Sequence, residues 1–152
     1  MIRTRFVLCL VMVFCFSRFA HAGGPFAQKE VDEAIKSFLS AQSTQGEDAQ
    51  SVGNAVADLN GDGKPEIVLL WVLLGPTYSS NSLTVFSKTA AGYKPAASFP
   101  LMGIATNLAS VNGGIIRVDQ QVFAKNDPRC CPSIKKQMKY RWLGKKISEV
   151  KR

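Results

Sequence analysis

Histidine is almost absent from this chain: His21 is the single copy in 152 residues. Beyond that position neither a Ser-His-Asp nor a Cys-His arrangement can be assembled. Cysteine is nearly as scarce, since after Cys9 and Cys15 near the start only Cys130 and Cys131 remain. Two adjacent thiols without an imidazole are too few donors for a zinc site. Nor do they have the Cys-x-x-Cys spacing usual in thiol–disulfide enzymes. The apolar run at residues 6–16 falls well short of the roughly 20 residues that a membrane-crossing helix needs. The nearest pair of carboxylates for acid–base chemistry is Asp58 with Asp62, and a metal loop accounts for them better. These absences weigh against an enzyme.

The first residues read as an export signal. A basic start, Met1-Ile2-Arg3-Thr4-Arg5, precedes the apolar run, and Ala20-His21-Ala22 gives a small-x-small cleavage pattern. The expected division is therefore a signal peptide at 1–22 and one small domain at 23–152, with no transmembrane segment after cleavage. Removing Arg3, Arg5 and Arg18 lowers the formal charge from +8 to +5. The remaining charge is uneven: from Lys125 onward there are ten basic residues and two acids, whereas residues 23–124 carry six and nine. Such a basic end suits either an anionic surface or the solvated face of terminal strands.

Periodicity predicts an α+β domain, with one N-terminal amphipathic helix packed on a mainly antiparallel β-sheet. Val31, Ile35, Phe38 and Leu39 form an apolar stripe at helical spacing. Lys29 with Glu33 and Asp32 with Lys36 are spaced to pair on its outer side. A polar loop is expected over 40–51 and a strand over 52–59. The nearly continuous apolar run at 66–74 suits a buried strand. Further strands are expected at 82–88, 93–99, 115–124 and 147–150. In the fifth of these six segments Ile116, Val118, Val122 and Ala124 share a parity that Gln120 interrupts. Met138, Tyr140 and Trp142 alternate with Lys139 and Arg141, which places the aromatics inward and the bases outward.

Between two of these strands lies Asp58-Leu59-Asn60-Gly61-Asp62-Gly63-Lys64-Pro65-Glu66. Asp58, Asn60 and Asp62 offer side-chain oxygens, Lys64 its carbonyl, and Glu66 a carboxylate directly or through water. Hard oxygen donors at this spacing suit Ca²⁺, held weakly. Position twelve is Leu69 rather than glutamate, and strands replace the flanking helices, which excludes an EF-hand. The alternative is a metal-free Asx/Gly turn whose side chains bond their own backbone. The motif resembles the calcium turns of FG-GAP and VCBS β-repeats; one copy does not make a propeller.

Cys130 and Cys131 sit in Asp127-Pro128-Arg129-Cys130-Cys131-Pro132-Ser133. In an oxidising compartment they are free, joined to each other as a local clamp, or paired between chains. Together with the leader, the acidic turn, Tyr140 and Trp142, this segment resembles exported bacterial proteins of the LppP/LprE lipoprotein type. Acylation does not follow, because bulky Phe14 precedes Cys15. The resemblance implies no catalytic activity.

The expected function is a secreted or periplasmic structural or binding protein, calcium-stabilised by the acidic turn. Lys135, Lys136, Lys139 and Arg141 would face an anionic envelope component or an acidic protein. The alternative is a thiol-linked redox or envelope assembly factor using Cys130 and Cys131. A nucleic-acid partner is not expected, since Tyr140 and Trp142 face away from the bases beside them.

Overall fold

In a computed structural model, the structure describes residues 25–151. The leader expectation, with His21, lies outside them. The fold is α+β: a helix, α1 (Pro25–Gln42), is followed by eight strands in two antiparallel four-stranded sheets. β1 (Asp48–Ala57), β2 (Glu66–Leu74), β3 (Ser79–Thr89) and β4 (Gly92–Leu101) form the first in sequential order. β5 (Ile104–Asn112), β6 (Ile115–Val122), β7 (Ile134–Trp142) and β8 (Ile147–Glu149) form the second.

The apolar run of β2 explains the layering. Alternate side chains on a strand point to opposite faces. Ile67, Leu69 and Trp71 join Val31 and Ile35 of α1 in one buried cluster, with Phe38 packed against it. Val68 and Leu70 instead join Ile116, Val118, Tyr140 and Trp142 of the second sheet. Helix, first sheet and second sheet are thus three layers with two cores, and β2 is buried on both faces because both neighbours need it. The Phe38 ring packs edge-on to Trp71 and Phe86, with centroids 5.4 and 5.2 Å away.

The helical stripe lies where expected, and Lys29 pairs with Glu33 at 3.8 Å. Asp32 does not take Lys36; its carboxylate accepts the Gln28 side-chain amide at 2.8 Å. The 40–51 loop is shorter than expected, because α1 runs to Gln42 and β1 begins at Asp48. β1 ends at Ala57 rather than at 59, since Asp58 already turns the chain. β6 ends at Val122 rather than at 124, because Asp127 captures the Ala124 N–H. β5 was not expected at all; register shifts at Ala105/Asn107 and Leu108/Ser110 erase its two-residue period.

Gln120 interrupts the parity of β6 without breaking its face. It is 2% exposed, its amide donates to the Met102 carbonyl at 3.1 Å, and its oxygen accepts the Tyr140 hydroxyl at 2.5 Å. A polar side chain whose amide nitrogen and oxygen each have a partner can occupy a core position. Burial, with the Glu149 charge adding to it, pushes the Tyr140 hydroxyl up to about 12, so it remains a donor to Gln120.

Candidate functional site

Three regions gather the side chains singled out from the sequence. The acidic turn closes one end of the sandwich. Asp58 accepts the N–H groups of Gly61 at 2.7 Å and Gly63 at 2.9 Å. Both glycines have positive φ, 77° and 80°, where a side chain would be strained. Asn60 Oδ1 accepts the Asp62 N–H at 2.9 Å, and Asp62 accepts the Lys64 N–H at 2.8 Å. These are Asx-turn bonds. Glu66 is only 3% exposed; one carboxylate oxygen accepts the Leu59 N–H at 2.9 Å and the other the Asn60 amide at 3.1 Å.

These bonds determine how the expected ligands stand. The turn brings Asp58, Asn60, Asp62 and Glu66 together, yet the Asn60 amide donates to Asp62 at 3.3 Å as well as to Glu66. An N–H₂ group thus sits between two carboxylates where a cation would attract both. No cluster of three acidic, histidine or cysteine side chains with metal-holding geometry occurs among the described residues. The Gly63 N–H holds the Asp58 carboxyl below the usual range. Burial, then the charges of Asp62 and Asp58, push the Glu66 carboxyl up.

The cysteine loop closes the opposite end, between β6 and β7. Asp127 organises it, accepting the N–H groups of Ala124 and Ser133, both at 2.7 Å, and the Ser133 hydroxyl at 2.8 Å. The Ala124 N–H, then the Ser133 hydroxyl, hold its carboxyl below the ordinary range. A turn bond from Cys131 N–H to the Pro128 carbonyl, at 3.0 Å, folds the chain between them. Cys130 and Cys131 are placed as a vicinal disulfide with Cα atoms 3.8 Å apart, and both are exposed. Sequence reasoning singled out the cysteines and passed over Asp127, whose role depends on a bond six residues along the chain.

The third region is the outer face of the second sheet. Lys135, Lys139 and Arg141 share one parity of β7, and Lys136 has the other. All four are partly or fully exposed. Register adds a residue that sequence reasoning missed: Arg117 lies directly opposite Lys139. Its outward parity follows from Ile116 and Val118 facing in; its pairing with β7 is a long-range fact. Like charges facing each other across strands are unfavourable. Arg117 finds only the Ser110 hydroxyl, at 3.4 Å. The one acid on this face among the described residues, Asp119, is taken up by the side-chain amides of Asn107 at 3.2 Å and Gln137 at 3.0 Å. Neither Arg117 nor the four β7 cations has a carboxylate within 4.0 Å among the described residues. By contrast, α1 covers the outer face of the first sheet.

No helix among the described residues is long and apolar enough to cross a membrane. No family model matches the chain, and no curated protein or solved structure matches it.

Proposed function

We propose that this chain is an exported structural or binding protein whose uncovered sheet face holds an anionic partner, an envelope component or an acidic protein. The supporting observation is the grouping of Arg117, Lys135, Lys139 and Arg141 on that face, where the one acid among the described residues, Asp119, is engaged by amides. Same-face positions recur about every 7 Å along a strand and about 5 Å across strands. Lys139 and Arg141 are same-face neighbours, Arg117 stands across from Lys139, and Gln137 separates Lys139 from Lys135. Cations spread over two strands of one face suit an extended anion better than a small one. Lys136 is exposed but has the other parity of β7 and stands outside this grouping.

The test compares the mature protein with K135E/K139E/R141E for binding to polyglutamate and to anionic-lipid vesicles. The variant should lose at least about tenfold in affinity at low salt while melting as the wild type does. Equal binding by the two proteins would sink the proposal. Binding that survives charge reversal and disappears on reduction would transfer the function to Cys130 and Cys131.

We also propose calcium as a weak stabiliser at the acidic turn. Asp58, Asp62 and Glu66 belong to this one turn, no cationic side chain lies within 4.0 Å of them among the described residues, and burial makes the Glu66 charge costly. Asn60 would have to turn its amide aside to admit the ion. Millimolar Ca²⁺ should raise the melting temperature of chelator-stripped protein and leave D58A/D62A unchanged. No shift in the wild type would leave the turn as a metal-free Asx turn.

A further inference from the structure

We infer that the groove beside the cysteine loop is a binding site for a small aromatic anion. The groove encloses about 550 Å³ between the start of β3, the β4–β5 turn, the end of β6 and the cysteine loop. That is within the size range of small-molecule sites. Eight large apolar side chains are exposed among the described residues, and four of them line this one groove: Tyr78, Met102, Ile104 and Phe123. Met102 is 82% exposed. Clustered apolar exposure of this kind marks a surface that something covers.

The walls are held in place before any ligand arrives. Gly103, next to Met102, has φ 92°, and a Cβ there would stand 2.1 Å from the Gln121 carbonyl oxygen. The β4–β5 turn is therefore pressed directly on the β6 backbone. Two buried amides pin it from below: Gln120 donates to the Met102 carbonyl at 3.1 Å and Asn81 to the Gly103 carbonyl at 3.2 Å. The Tyr78 carbonyl accepts the Gly75 N–H at 2.9 Å, and the Tyr78 hydroxyl bonds Glu47. Asp127 fixes the opposite wall through Ala124 and Ser133. Exposed apolar side chains on backbones pinned this firmly form a site that loses little freedom on binding.

The chemistry of the lining identifies the occupant. Arg129 lines the groove, has no carboxylate within 4.0 Å among the described residues, and no acidic residue lines it with Arg129. Thr77, Ser79 and Ser80 are the hydroxyl-bearing residues of its lining. Tyr78 and Phe123 offer rings, while Met102 and Cys130 add polarizable sulfur. Rings and thioethers favour a flat aromatic body, and a guanidinium favours a carboxylate or sulfonate at its end.

The probe is 2-naphthoate, titrated calorimetrically into the mature protein, with the neutral 2-naphthylmethanol as its uncharged counterpart. Saturable binding of one naphthoate per chain is expected. R129Q should weaken naphthoate about tenfold or more and leave the alcohol unchanged. M102A/F123A should weaken both ligands, with melting temperatures confirming that each exposed-site variant is folded. K135E/K139E/R141E should bind naphthoate as the wild type does, which separates this groove from the basic sheet face. Absence of saturable binding at about 1 mM, a concentration that even weak specific sites reach, would overturn the inference. So would an R129Q variant as tight as wild type, or loss of binding in the sheet-face variant.

Discussion

The acidic turn at one end of the sandwich and the cysteine loop at the other are each gathered by one aspartate that captures backbone N–H groups. Asp58 holds Gly61 and Gly63; Asp127 holds Ala124 and Ser133. What the two loops then do differs. The acidic turn sends Leu59 into the inter-sheet core, where it is 5% exposed. Its Leu59 carbonyl also lies so close to Gly114 that a Cβ there would come within 2.9 Å. Its polar atoms are largely consumed by its own backbone. The cysteine loop buries Pro132 and leaves Arg129, Cys130 and Cys131 exposed. The same device therefore closes the fold at one end and presents chemistry at the other.

This contrast breaks most readily by removing each aspartate in turn. Asp58→Ala should lower the melting temperature by roughly 3–6 °C, the scale of about one net hydrogen bond in a domain of this size. Freeing Gly61 and Gly63 loosens the hold on Leu59, and Leu59 belongs to the main core. Asp127→Ala should change the melting temperature by less than about 2 °C, because only a local segment opens. Its readout is trypsin: Lys125 and Arg129 both lie in the released loop, and nicking there should accelerate about tenfold or more. Scanning calorimetry and limited proteolysis would check the pair. If Asp127→Ala melted as early as Asp58→Ala, both loops would be structural and the distinction would fail.

How far the two ends were legible in the sequence follows from the range of the interactions that build them. The Asp58–Glu66 turn is local, and spacing alone located it between strands. The buried run of β2 was equally clear, although only the structure divides Ile67, Leu69 and Trp71 from Val68 and Leu70 between two cores. β5 was hidden because two register shifts break its alternation. The basic face was half visible: β7 parity separates Lys139 and Arg141 from the aromatics, yet Arg117 joins them only through the β6–β7 register. The groove could not be read at all. It assembles side chains from four separate stretches of chain, and no local period reports which of them meet.

The smallest expected effect sharpens the comparison through pH, because the acidic turn holds a carboxyl shifted up, Glu66, beside one shifted down, Asp58, whereas Asp127 at the other end is shifted down. Asp58 and Asp127 titrate below their ordinary 3.8, so their stabilisation is complete above that value and is lost as pH falls through their folded pKa. Glu66 titrates above its ordinary 4.5, chiefly because it is buried, so the folded state binds that proton more tightly than the unfolded one. Its ionisation therefore removes stability as pH rises from 4.5 through the folded pKa. Urea midpoints measured across this range should decline in the wild type. Glu66→Gln cannot ionise and should flatten that decline. Its carbonyl can still accept the Leu59 N–H, while its own amide faces the Asn60 amide as donor to donor, so the overall midpoint should fall at acidic pH even as the slope disappears. Asp127→Asn should lessen only the loss below 3.8, where Asp58 still contributes, and leave the decline above 4.5 intact. An unchanged slope above 4.5 in Glu66→Gln would show that the acidic turn holds its buried carboxylate without the cost that distinguishes it from the exposed loop at the other end.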